Sequence, residues 1–177
     1  MLSPLVRSTL APAGQTPILR VKSSHREKVS LAAALCLSPR RRQLSLRFRT
    51  YPKQYVNSER SADLLRELLR QLRGPVIVVW DRGNMHKGEP QRQLQKRFPR
   101  LQIEWLPPYA PDLNPVEQVW NHLKYSRLAN FVALDVTELD RTVRKHLRAI
   151  KRSPRRLQTF LDACQLPLAD DKKLFSG

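Results

Sequence analysis

Asp81 and Glu117 are the two side chains of this sequence best placed to do chemistry. Asp81 follows five apolar residues, Val76-Ile77-Val78-Val79-Trp80, and Glu117 sits in Asn114-Pro115-Val116-Glu117, just inside a helix start. A carboxylate at a strand's end and another on a later helix can meet over one metal pair. Divalent ions want hard oxygen ligands, and a pair of them shares the phosphate in phosphodiester chemistry. That chemistry normally takes three carboxylates, and no convincing third is present. Glu59, Asp63 and Glu67 recur at four-residue spacing on the polar side of a leucine-striped helix, and Glu27 begins a strand instead of ending one.

Both acids also have ordinary explanations. Asp81, followed by Arg82 and Gly83, suits a solvated turn. Glu117 would be the third helical residue after an Asn114 cap, where a Glu stabilises a helix by reaching back and by facing the dipole. His86 stands alone in the loop after Asp81, where a single His is more often structural. His25, His122 and His146 make no metal spacing with another His or Cys. Cys36 and Cys164 have apolar neighbours and no redox spacing, so both read as buried free thiols. The five glycines are scattered, with no phosphate loop, and no Ser nucleophile elbow occurs. Nucleotide hydrolysis and acyl transfer therefore drop out as leading readings.

The elements that must position the two acids are legible from periodicity. Val29–Leu37 is apolar and strand-length. Leu44, Leu46 and Phe48 then alternate with Ser45, Arg47 and Arg49 after a Ser38-Pro39 turn, which predicts a hairpin. Residues 57–72 form a helix striped by Leu64, Leu65, Leu68, Leu69 and Leu72, capped at Asn57 or Ser58 and stopped by Gly74-Pro75. The run ending at Asp81 is apolar throughout and predicts a strand buried on both faces. A short helix over 91–98 and a strand over 101–106 follow. Helices are predicted over 115–126, over 137–150 with Thr137 and Asp140 in capping positions, and over 154–164. The order is that of an α/β layered domain with a mixed sheet.

Charge is the other strong feature. With 33 Lys and Arg against 15 Asp and Glu, the net charge is +18. Such a balance implies a polyanionic partner, nucleic acid first. Arg141, Arg144, Lys145, Arg148, Lys151, Arg152, Arg155 and Arg156 are eight cations in a stretch with no acid, and the first six fall on one helical face. Like charges repel without a partner, so a phosphate backbone is the expected one. No apolar run reaches the length of a membrane span. The N-terminal region is basic and acid-poor like an organellar leader, but Pro4, Pro12, Gly14 and Pro17 break the helix a leader needs.

The string Trp105-Leu106-Pro107-Pro108-Tyr109-Ala110-Pro111-Asp112-Leu113-Asn114-Pro115-Val116-Glu117-Gln118-Val119-Trp120 resembles the block around the third acid of DDE-type transposases, in the mariner superfamily and its bacterial insertion-sequence branch. Val78-Val79-Trp80-Asp81 with His86-Lys87 resembles the block around the second acid, and Leu10-Ala11-Pro12-Ala13-Gly14-Gln15-Thr16-Pro17 an early element of the same family. The resemblance spans residues 3 to 165. It implies a ribonuclease-H-like mixed sheet flanked by helices, a catalytic domain over 1–168 and a tail over 169–177. It implies two magnesium ions, with manganese as a substitute, held by Asp81 and Glu117 as second and third acids. Those ions serve DNA strand cleavage and strand transfer at transposon ends and target. Asp112 matches a position that is not one of the three acids.

Three departures shape what is expected. The family's first acid lies just upstream of the element at Ser3 to Pro17. The first, central strand that carries it is missing. The helix-turn-helix that finds element ends is absent too. A smaller departure is Arg82, where the family often has Asn. The expectation is a transposase fragment whose cleavage is impaired. The alternative is a non-catalytic DNA-binding or dimerising remnant that modulates a full-length transposase. The expected partners are DNA and a second copy of the chain, with no membrane and no small-molecule cofactor, in the bacterial cytoplasm at the nucleoid.

Overall fold

The computed structural model describes residues 11–15, 28–40, 43–164 and 166. The expectations for Glu27, His25, most of the element at 3–17 and the boundary at 168 lie outside those residues.

β1 (Val29–Leu37) and β2 (Leu44–Pro52) form the expected antiparallel hairpin. β2 runs on past Phe48, because Thr50 pairs with Leu31 and is buried. One face of the hairpin carries Leu31, Ala33, Leu35, Leu44, Leu46 and Phe48. α3 (Pro115–His122), α4 (Val136–Lys151) and α5 (Pro154–Asp162) bury it, through Val119, Val143, Leu147, Ile150, Leu157 and Phe160. This is the larger core.

The second core lies under α1 (Ser58–Gln71) and α2 (Glu89–Arg97). Ala62, Leu65, Leu69 and Leu94 pack on Val76, Val78 and Trp80 of β3 (Val76–Trp80) and on Leu101 and Ile103 of β4 (Leu101–Trp105). β3 and β4 are parallel, and α2 is the crossover between them. α1 also bonds to the outer side of the hairpin: Arg49 is paired with Glu67 at 2.8 Å, and the Tyr51 hydroxyl donates to the Arg60 carbonyl at 3.3 Å. The acids Glu59, Asp63 and Glu67 thus serve the polar side of α1. Asp63 is paired with Arg66.

The expected mixed sheet is present as two halves, an antiparallel pair and a parallel pair that share no ladder. The resulting α/β architecture, two small sheets flanked by helices, is consistent with a ribonuclease-H-like fold. Among the described residues β1 and β3 each have a ladder on one side only. The expectation that β3 is buried on both faces fails. Ile77 is 63% exposed and Val79 46%, because α1 and α2 cover one face while α3, α4 and α5 gather on the hairpin.

Two helix ends also differ. α4 is capped by Asp135, whose carboxylate accepts from the Glu138 amide at 2.8 Å, while the Glu138 carboxylate accepts from the Leu134 amide. Thr137 and Asp140 therefore lie inside the helix, and Asp140 instead bonds Arg144 at 2.7 Å. The helix expected over 115–126 is α-helical only to His122 and widens into a π-helical turn over Leu123–Arg127. Its bond from the Leu128 amide to the Leu123 carbonyl, 2.9 Å, lets both leucines stay in the core. Of the two thiols, Cys164 is buried and Cys36 half-buried, both unbridged.

Candidate functional site

Parallel pairing brings the carboxyl ends of β3 and β4 side by side, the usual ligand side of such sheets. The two exits are tied together. The Leu106 amide donates to the Trp80 carbonyl at 2.8 Å, and Arg82 Nε donates to the Leu106 carbonyl at 3.1 Å. Beyond Leu106, consecutive prolines and a single 3-10 turn, Pro111–Leu113, carry the chain to Asn114. Asn114 caps α3 by accepting from the Val116 amide at 3.1 Å, so Glu117 is the third helical residue, as its spacing predicted. Asp81, Arg82, Pro108, Tyr109, Asn114 and Glu117 all line the cleft so formed.

The two carboxylates feel each other across it. Burial first, and the Asp81 charge second, push Glu117 above the ordinary carboxylate range. Like charges held together in a half-desolvated cleft ask for a cation. Asp81 is also oriented from behind. The Gly83 amide donates to its Oδ1 at 2.9 Å. This is an aspartate turn, the ordinary reading of the residue. His86 Nε2 stands 3.6 Å from the same Oδ1. Both contacts fall on Oδ1, which leaves Oδ2 as the oxygen for a ligand.

His86 is no isolated histidine. Its ring stacks on Trp80 with centroids 4.6 Å apart, and its Nδ1 lies 3.0 Å from the hydroxyl of Ser61 on α1. Burial lowers its pKa and the Asp81 carboxylate opposes that shift, so the neutral ring is favoured. The Ser61 hydroxyl suits either tautomer, and the one with its ring proton on Nε2 turns that proton toward Asp81. Ser61 is only 4% exposed, which rules it out as a nucleophile and makes it a support. Sequence spacing could not find Ser61, because 25 positions and the whole of β3 separate it from His86.

Tyr109 was likewise unforeseen as a site residue. It is fully exposed at the cleft rim, with φ at 57°. That left-handed conformation is uncommon outside glycine. The prolines on either side of Tyr109-Ala110 are the sequence signal that this loop is conformationally restricted.

As a metal centre the cleft offers two carboxylates. No group of three or more His, Cys, Asp or Glu converges anywhere among the described residues. Magnesium-type ions are commonly held by one or two carboxylates, keeping waters and substrate phosphates as the other ligands. Asp81 and Glu117 fit that donor set, whereas a three-carboxylate, two-ion centre is not filled by the described residues.

The basic residues lie apart, on α4 and at the start of α5. Arg141, Lys145, Arg148, Lys151, Arg152 and Arg155 are exposed, while Arg144 and Arg156 are half-buried. The cationic face is not wholly uncompensated, because Asp140 neutralises Arg144. No helix among the described residues is long and apolar enough to cross a membrane.

Residues 2–140 match the sequence profile of a family described as DDE superfamily endonuclease. The matched span holds both cleft carboxylates and ends one residue before the basic stretch. No curated protein matches the chain.

Proposed function

Because this chain belongs to the DDE superfamily endonucleases, a family that acts on DNA and generally depends on divalent metal, we propose that the cleft at Asp81 and Glu117 is a DNA phosphodiester-cleaving site of the mariner-superfamily transposase kind. The observation that carries this is the meeting of two carboxylates, from elements 35 residues apart in sequence, in one cleft at the strand ends.

In this reading Asp81 and Glu117 hold magnesium, or manganese in its place, and the domain runs over 1–168. The metal, when bound, supplies charge for the phosphate oxygens and a hydroxide-like nucleophile at neutral pH. The chain's own residues do the rest. Gly83 and His86 fix one oxygen of Asp81. Asn114 and the helix start fix Glu117. Arg82, at the cleft, meets phosphate charge. The face of Arg141, Lys145, Arg148 and Arg152, flanked by Arg144, Lys151, Arg155 and Arg156, holds the backbone of transposon end or target through counterion release. A second copy of the chain and a nucleoid location in a bacterial cytoplasm belong to the same reading.

The alternative is a DNA-binding or dimerising module without cleavage, which modulates a full-length transposase. It is favoured by one observation, the lack of a third converging carboxylate among the described residues. Supercoiled plasmid incubated with the chain and magnesium or manganese separates the two. Nicking that disappears in Asp81→Asn and Glu117→Gln supports the first. Salt-sensitive gel retardation with no nicking at either metal supports the second. Neither binding nor nicking sinks both.

A further inference from the structure

α3 begins at the carboxylate cleft and ends in a second gathering of ionisable groups. His122, its last residue, accepts at Nε2 from Arg127 Nε of the π-helical turn, 3.2 Å away. The other side of the same ring leans on Phe160 of α5, centroids 5.6 Å apart. Arg156 stands one helical turn before Phe160, and His146 comes in from the flank of α4. By helical geometry His146 is turned about 100° from Lys145, away from the outward face of that helix. Four segments thus meet at one seam.

Among the described residues the charged side chains acting on the two rings, Arg127, Lys145 and Arg156, are all positive. Burial and then Arg156, Arg127 and His146 lower the His122 pKa; burial and then Arg127 and Lys145 lower that of His146. Elsewhere in the chain Arg49, Arg66 and Arg144 have carboxylate partners. Among the described residues Arg127 and Arg156 have none, and such a concentration of cations is repulsive until an anion seats among them.

We propose that the seam of His122, Arg127, His146 and Arg156, which shares only Arg156 with the cations of the basic stretch, is a second backbone-phosphate site, apart from the cleft and turned away from the outward face of α4, in which both imidazoles engage as cations. It rests on the DNA reading above and adds a site and a proton linkage to it. The chemistry of the Arg127 contact explains the switching. A neutral His122 holds the guanidinium as an acceptor. A protonated His122 cannot accept, so it releases Arg127, and both groups then point donors at phosphate oxygen. Glu117 and His122 are five residues apart on α3, about 7.5 Å along its axis and about 140° around it, so the seam opens on a different side of the helix from the cleft.

The test is fluorescence anisotropy of labelled duplex DNA with the full chain, at constant ionic strength, between about pH 5.5 and pH 7.5. Wild-type affinity is expected to rise roughly tenfold toward the acid end, and His122→Gln/His146→Gln to lose most of that rise. Arg127→Gln should weaken binding chiefly toward the acid end, where His122 releases the guanidinium, and reduce the salt slope there by about one. The same pH dependence in the double variant as in wild type overturns the seam. No DNA binding by wild type, even at low salt, overturns the DNA reading itself. Should the double variant fail to fold, proton NMR of the wild-type imidazoles decides. The titrations of His122 and His146 move to higher pH when DNA is added, and unmoved titrations overturn the proposal.

Discussion

Asp81 is held by close approach of its own loop, and Gly83 shows how tightly. A Cβ at Gly83 would lie 2.9 Å from Asp81 Oδ1 and 3.6 Å from the His86 ring. The carboxylate is the movable end of a side chain, so Gly83→Ala turns Asp81 aside without unfolding the protein. The expected result is a fall in manganese affinity of roughly tenfold by calorimetry, with stability changed by less than about 1 kcal/mol. Unchanged affinity would detach Asp81 from the metal. Glu117 makes the opposite kind of prediction, a gain in stability. Its folded pKa is raised, so the folded state binds its proton more readily than the unfolded chain does. Stability then falls as pH rises from the ordinary carboxylate range through the raised folded value, and the full penalty remains at neutral pH. Glu117→Gln should raise the metal-free Tm at neutral pH, and the gain should vanish below the ordinary carboxylate range. A Tm gain that persists in acid would show another cause.

At the scale of elements, α4 is the piece that joins core to charge. Its buried stripe of Val136, Leu139, Val143, Leu147 and Ile150 closes the larger core over the hairpin, and its other side carries the cations. Leu147 is 0% exposed. Leu147→Ala should therefore cost about 2–5 kcal/mol in urea unfolding, through reduced burial plus a cavity. The cap gives a sharper comparison. Asp135→Ala removes the acceptor for the Glu138 amide. It should cost about 1 kcal/mol. Thr137 is inside the helix and exposed. Thr137→Ala should fall within about 0.5 kcal/mol of wild type. Equal costs would contradict the cap at Asp135.

At the scale of the molecule, a net charge of +18 sets what the chain does in solution before any site acts. Self-repulsion makes the free protein less stable than its cores would allow, and a polyanion relieves it. Duplex DNA should therefore raise Tm, and more at low salt than at high. The logarithm of the DNA binding constant should fall linearly with that of salt. Arg148→Gln/Arg152→Gln should flatten the slope by about 0.9 for each phosphate no longer neutralised. A slope that these changes leave intact would move the DNA off α4.

Local chemistry was enough to reveal most elements. The leucine stripe of α1, the alternation in β2 and the Asn114 cap before Glu117 each depend on neighbours a few residues away, and each appears where periodicity put it. The two carboxylates could be singled out for the same reason, from a strand end and a helix start. Three features depend on which surfaces meet, and no local pattern encodes that. An all-apolar β3 exposes one face because the helices that could cover it pack on the hairpin. Ser61 reaches His86, and through it Asp81, because α1 lies over the strand ends. His122 and His146 share a seam because a π-helical turn and α5 close around the end of α3. Hydrophobic spacing along a segment dictates which side of it is buried. Only the packing of whole segments against one another decides what polar groups are brought together at the seams.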